Sequence, residues 1–235
     1  LPPLRRLYRE HGIELAMPLI TDLTAVPWVR EALALWRAAA AGWDRESLLP
    51  LVGSAYFTAH LPDDYDPDAV AHALISLGGN PRGSAWLTRV DQEIQRLTRQ
   101  LAAVEERWLQ KGIEQPLNLY KAARAGIQAW VEGMGAQFKA LTPQGHCQLV
   151  QELLEANAPL ISREGCGEWD TRDNIALVKV RAAIQDYLSC CKLLKRTAPL
   201  SPGQFVDGFS PWLEQDLSLE RSNPGAVQVF SPTQV

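Results

Sequence analysis

The sequence predicts a mainly α fold: a multi-helix accessory domain with a long helical hairpin and a minor β element formed near the two termini. Three observations predict it. Leu87, Val90, Ile94, Leu97, Leu101, Val104 and Trp108 recur at spacings of three and four, which places them along one seam of a helix roughly 33 Å long at ~1.5 Å per residue. Just downstream, Tyr120, Ala123, Ile127, Trp130, Met134 and Leu141 recur at nearly the same spacing, so two amphipathic segments are expected to pack as an antiparallel hairpin separated at Pro116. Finally, Ala226 to Phe230 breaks the helical pattern with β-branched and aromatic residues and reads as a strand.

Taken in order, Leu1 to Gly12 reads as the tail of a helix closed by Gly12, and Ile13 to Ile20 as a short extended piece interrupted by Pro18. Thr24 and Pro27 set up a helix carrying Val29, Leu33 and Trp36 on one side. Asp44 caps the next helix, through Leu48, Leu49 and Val52, which ends near Gly53. Asp66 followed by Pro67 is an N-cap with proline in the first turn, and that helix stops at Gly78 and Gly79. The loop from Gly79 to Ser84 marks a joint between two lobes. Beyond the hairpin, Thr142 and Pro143 open a helix through Cys147, Val150, Leu153 and Leu154, followed by a loop from Pro159 to Asp170. Thr171 or Asp173 is expected to cap a helix lined by Leu177, Val180, Ile184, Tyr187, Leu188, Cys191 and Leu194. Ser201 and Pro202 start the last short helix. A lone strand cannot satisfy its backbone groups, so the closing strand must pair with Ile13 to Ile20 or with a strand of a larger protein from which this piece is cut. The expected organisation is an N-terminal helical lobe over 1–78, a helical insertion over 79–217, and a return segment over 218–235.

Composition narrows the function classes. The 235 residues are 46% hydrophobic and 21% charged with a formal net charge of -4, which fits a folded chain without a polybasic tail. No apolar run approaches ~18 residues and no leader pattern opens the chain, so no membrane partner and a cytoplasmic location are expected. The four cysteines show no CxxC spacing, and the four histidines, His11, His60, His72 and His146, are scattered. Neither a phosphate-binding GxxxxGK[ST] loop nor a GxSxG elbow occurs. The acidic run Asp63, Asp64, Tyr65, Asp66 fits a turn and helix cap better than a cation site. No catalytic, cofactor-binding or metal-binding residue is assigned.

Two basic clusters remain as candidate DNA contacts: Arg89, Arg96 and Arg99 on one flank of the long helix, and Lys192, Lys195 and Arg196 at the end of the later one. Each also has a purely structural account, a solvated flank in the first case and favourable charge at a helix C-terminus in the second.

The order of elements resembles a known group. The opening segment, with Gly12, Ile13, Pro27, Trp43, Leu48, Leu49 and Phe57, resembles the stretch of UvrD-like and AddB-like helicase proteins where a helix ends in a Gly-Ile step. In those proteins a strand and two helices follow. The ending "GAVQVFSPTQV" resembles the strand that returns from their helical insertion. The resemblance to AddB-like DNA repair proteins implies a parent with a PD-(D/E)XK nuclease domain, working with an AddA-like helicase-nuclease on double-stranded DNA ends. ATP, Mg and an iron-sulfur cluster would then belong to the parent complex, since the residues that hold them have no matching positions here. Ser231 and Pro232 stand where active UvrD-like helicases tend to place a Thr-His pair, which favours the AddB side. The alternatives are an accessory domain of a superfamily 1 helicase and a helical adaptor unrelated to DNA.

Overall fold

A computed structural model of the chain describes residues 15–16, 20–58, 60–161, 168–214, 216–218 and 227–228. It is mainly α-helical. The helices are α1 (Pro27–Ala41), α2 (Arg45–Val52), α3 (Pro67–Ser76), α4 (Ala85–Ala103), α5 (Arg107–Gln128), α6 (Pro143–Ile161), α7 (Glu168–Leu193) and α8 (Pro202–Leu213). The β element joins segments from the two ends of the chain. Strand β1 (Leu15–Ala16) pairs in parallel with β4 (Val227–Gln228), and β2 (Ile20–Asp22) pairs antiparallel with β3 (Asp216–Ser218). The closing strand therefore finds its partner within the chain. The segment expected before Gly12 and the Ser231–Pro232 pair lie outside the described residues.

Local chemistry sets several of the helix starts. Pro27 occupies the first turn of α1, where its missing N–H costs no intrahelical bond. Asp44 accepts from Ser47 N at 3.1 Å, and Asp66 accepts from Ala69 N at 3.0 Å. Ser201 and Gln204 form a reciprocal capping box at α8. Gly42 closes α1 at φ +74°, a conformation that a side chain would strain.

Four expectations need correction. The first concerns the long helix, which does not run to Trp108: α4 ends at Ala103, Val104 turns extended, and α5 begins at Arg107. Gln110 Nε2 donates to Val104 O at 2.8 Å and satisfies a carbonyl freed by the turn, while Glu105 and Glu106 place negative charge at the start of α5. Trp108 consequently leaves the seam and is 70% exposed. Pro116, expected to separate the hairpin, sits inside α5. Proline has no N–H to give the carbonyl of residue 112, so α5 forgoes one intrahelical bond there. Next, Thr171 and Asp173 are inside α7, which begins at Glu168, so neither caps it. Last, Leu194 falls beyond the end of α7 and is 58% exposed.

The hairpin itself stands, with α4 packed on α5, and α3 lies across α5 as well. Val70 and Tyr65 approach Gly126 so closely that a Cβ there would lie 2.6 Å from Val70 Cγ2 and 2.8 Å from Tyr65 Cε2. Helices α1, α6, α7 and α8 enclose an aromatic centre. Phe205 stacks on His146 at 4.6 Å and on Phe209 at 5.3 Å, while Trp36 meets Phe138 edge-on at 4.8 Å. Buried residues on both sides of the Gly79–Ser84 loop join one hydrophobic cluster.

Candidate nucleic-acid interface

The two basic clusters sit on helices with different neighbours, since α4 packs on α5 whereas α7 packs on α6 and α8. On α4 much of the charge is already engaged. Arg96 donates through Nε to Glu93 at 2.8 Å and through Nη1 to Gln100 at 2.9 Å. The Arg96 guanidinium holds the Glu93 carboxyl below its ordinary range. Arg99 Nε donates to the Gln95 carbonyl of its own helix at 3.3 Å. Arg89 is exposed and reaches over Gly79, where an added Cβ would lie 3.7 Å from its Nη2. The nearby Arg124 clamps Asp91 through two bonds of 2.6 and 3.2 Å.

The end of α7 differs. Lys192, Lys195 and Arg196 are all exposed, and among the described residues none forms an ion pair with a carboxylate. No Asp or Glu occurs between Asp186 and Asp207. The backbone turns sharply here, as Arg196 N donates to Cys191 O at 2.8 Å and Lys195 adopts φ +52°. That geometry ends the helix in the manner usually given to glycine. Between the cations stand Leu193, 84% exposed, and Leu194.

Helical periodicity hides these leucines, because Leu194 falls in phase with the buried seam. The usable signal was the sequence KLLKR itself: two large apolar residues bracketed by three cations at the last turn of a helix. Periodicity equally hides the exposed pair Trp108 and Leu109 at the hairpin turn, where Trp108 Nε1 donates to Glu106 at 2.7 Å.

Elsewhere the polar groups serve packing. His146, fully buried, accepts from Trp36 Nε1 at 3.2 Å and reaches Leu200 O through Nε2 at 2.9 Å. Burial pushes its pKa down and keeps the ring neutral. Burial likewise pushes the Cys147 thiol up to about 12, which leaves it unreactive at neutral pH. In the acidic run Asp66 caps α3 and Tyr65 OH donates to Val52 O at 2.8 Å. Among the described residues no group of three His, Cys, Asp or Glu side chains is placed to hold a metal ion, and no helix is long and apolar enough to cross a membrane. Comparison with known protein families finds no match, and comparison with curated proteins finds no relative.

Proposed function

We propose that the chain is a non-catalytic helical domain of an AddB-like subunit of an ATP-dependent DNA helicase and exonuclease. It acts in the cytoplasm in DNA end processing and repair, contacting double-stranded DNA ends or the AddA-like partner subunit. ATP, Mg and any iron-sulfur cluster are the business of the parent complex, and this chain supplies contacts.

The observation that carries the reading is the end of α7. Lys192, Lys195 and Arg196 project into solvent without a carboxylate partner among the described residues, in a stretch without acids. Cations held by the protein's own carboxylates gain little from DNA, because one ion pair is exchanged for another. Free ones release the counterions condensed on phosphates, which is the main source of sequence-independent affinity. The α4 flank is the weaker contact for that reason: Arg96 is engaged by Glu93, leaving Arg89 and Arg99.

The test is binding of an end-labelled blunt duplex, followed by fluorescence anisotropy over a range of salt concentrations. Three phosphate contacts give a log-log slope of about -3. A slope near zero, or no binding at low salt, contradicts the proposal and leaves the adaptor reading.

A further inference from the structure

We infer that Leu193 and Leu194 cap the terminal base pair of a DNA duplex while Lys192, Lys195 and Arg196 hold the phosphates beside it. This rests on the DNA reading of the same cluster and adds to it the surface that would hold a duplex end: the exposed leucine pair set between the cations.

Three observations lead there. Leu193 is 84% and Leu194 58% exposed, side by side at a helix terminus. Single exposed leucines are ordinary, but an adjacent pair ringed by cations presents an apolar surface to an anionic ligand. Leucine has no polar atom with which to read a base edge; apart from a thymine methyl, the apolar surface that DNA offers it is the face of a base. Inside a duplex those faces are stacked and covered; at an end one is open, and apolar side chains pack on such faces when a step is opened.

Backbone strain points the same way. Trp43, Phe57 and Lys195 are the non-glycine residues with positive φ among those described. Trp43 and Phe57 bury their rings, with 6% and 2% exposure, and so offset the strain by packing. Lys195 is exposed and buries no such surface, yet holds φ +52° where glycine would sit more easily. The turn it makes carries Leu194 and Arg196 on either side.

Charge selects this pair over the other one. Trp108 and Leu109 are also exposed neighbours, but Glu105 and Glu106 stand beside them and offset Arg107 and Lys111, and Glu106 holds the indole N–H. The end of α7 has cations and no acid between Asp186 and Asp207.

The experiment uses two blunt duplexes, one with 2-aminopurine as the terminal base and one with it well inside, quenched by acrylamide in the presence of the chain. Binding of the unaltered chain is expected to protect the terminal probe severalfold and leave the internal one unchanged. The double variant Leu193→Ser, Leu194→Ser is expected to lose that protection while keeping its salt slope; Trp108→Ser keeps both. Far-UV circular dichroism verifies that each variant is folded. Equal protection by the leucine variant, or equal affinity of the unaltered chain for linear and covalently closed circular DNA, overturns the inference and leaves the DNA reading intact. Absence of DNA binding by the unaltered chain overturns both. A leucine variant that changes the sedimentation mass yet still protects the DNA end assigns the pair to a protein contact and overturns the inference alone.

Discussion

Trp36 donates its indole N–H to Nδ1 of His146 at 3.2 Å, and the far nitrogen of the same ring meets the Leu200 carbonyl at 2.9 Å. One neutral imidazole thus ties α1 to the start of α6 and to the strand-like contact between Leu141 and Leu200. The tautomer follows from the partners. Nδ1 must be the acceptor because the indole can only donate, and Nε2 must carry the proton because a carbonyl can only accept.

His146→Leu leaves the Trp36 N–H buried without a partner, while the Leu200 carbonyl keeps the Leu141 N–H at 3.2 Å. At 1–3 kcal/mol for one orphaned group, the expected loss is about 2 kcal/mol. For a chain of this size the melting temperature should fall by roughly 4–8 °C, measured by circular dichroism. A fall under about 1 °C would show that water replaces the lost bond.

His60 predicts a pH dependence. Its ring lies edge-on to Trp130 at 4.5 Å, and neither nitrogen has a hydrogen-bonding partner of ordinary geometry. Burial pushes its pKa down to about 4, opposed in part by the Phe57 backbone. A depressed histidine is neutral in the fold while the unfolded chain takes up a proton below about 6.5, so the contribution is intact above that pH and is lost as pH falls toward about 4. With the ring partly open to solvent, the loss is on the order of 1 kcal/mol. Urea melts at neutral pH and near pH 4.5 should show a smaller difference for His60→Gln than for the unaltered chain. An identical difference would remove His60 from the account.

Gly126→Ala drives a methyl into Val70 and Tyr65, at 2.6 and 2.8 Å from their atoms. Overpacking of this kind costs about 1–3 kcal/mol, more than the helix propensity alanine gains. Gly112→Ala, which meets nothing within 4 Å, is the matched control. Chemical denaturation should find the first variant destabilised and the second unchanged or slightly more stable.

How much of this was legible follows the range of each interaction. Asp44, Asp66, Ser201 and Pro27 act within one turn, so their roles stand in the sequence. The hairpin partners were legible too, from the phase of Val90 and Leu97 against Tyr120 and Ile127. The break at Val104 was not, because Leu101, Val104 and Trp108 continue the seam, and the bond that marks the turn comes from a glutamine side chain six residues on, Gln110, which no spacing rule announces. Nor does sequence place Lys195 in the left-handed region, a position that glycine usually announces. The basic clusters could be named from spacing, but which one keeps its charge free depended on whether Glu93 faced Arg96.

Lys195→Gly separates stability from binding. Relief of the positive φ, reduced by the extra freedom of glycine in the unfolded chain, should stabilise the fold by a few tenths to about 1 kcal/mol. The same variant should bind duplex DNA more weakly and lower the salt slope by about 1. A variant both more stable and equally tight would mean that the lysine charge plays no part.

The most direct test compares the unaltered chain with Lys192→Gln, Lys195→Gln, Arg196→Gln by anisotropy of a blunt duplex across the same salt series. The triple variant should lose about 3 from the magnitude of the slope, whereas Arg96→Gln, whose guanidinium is engaged by Glu93, should lose little. Identical slopes for the triple variant and the unaltered chain would contradict the assignment of the end of α7 to DNA.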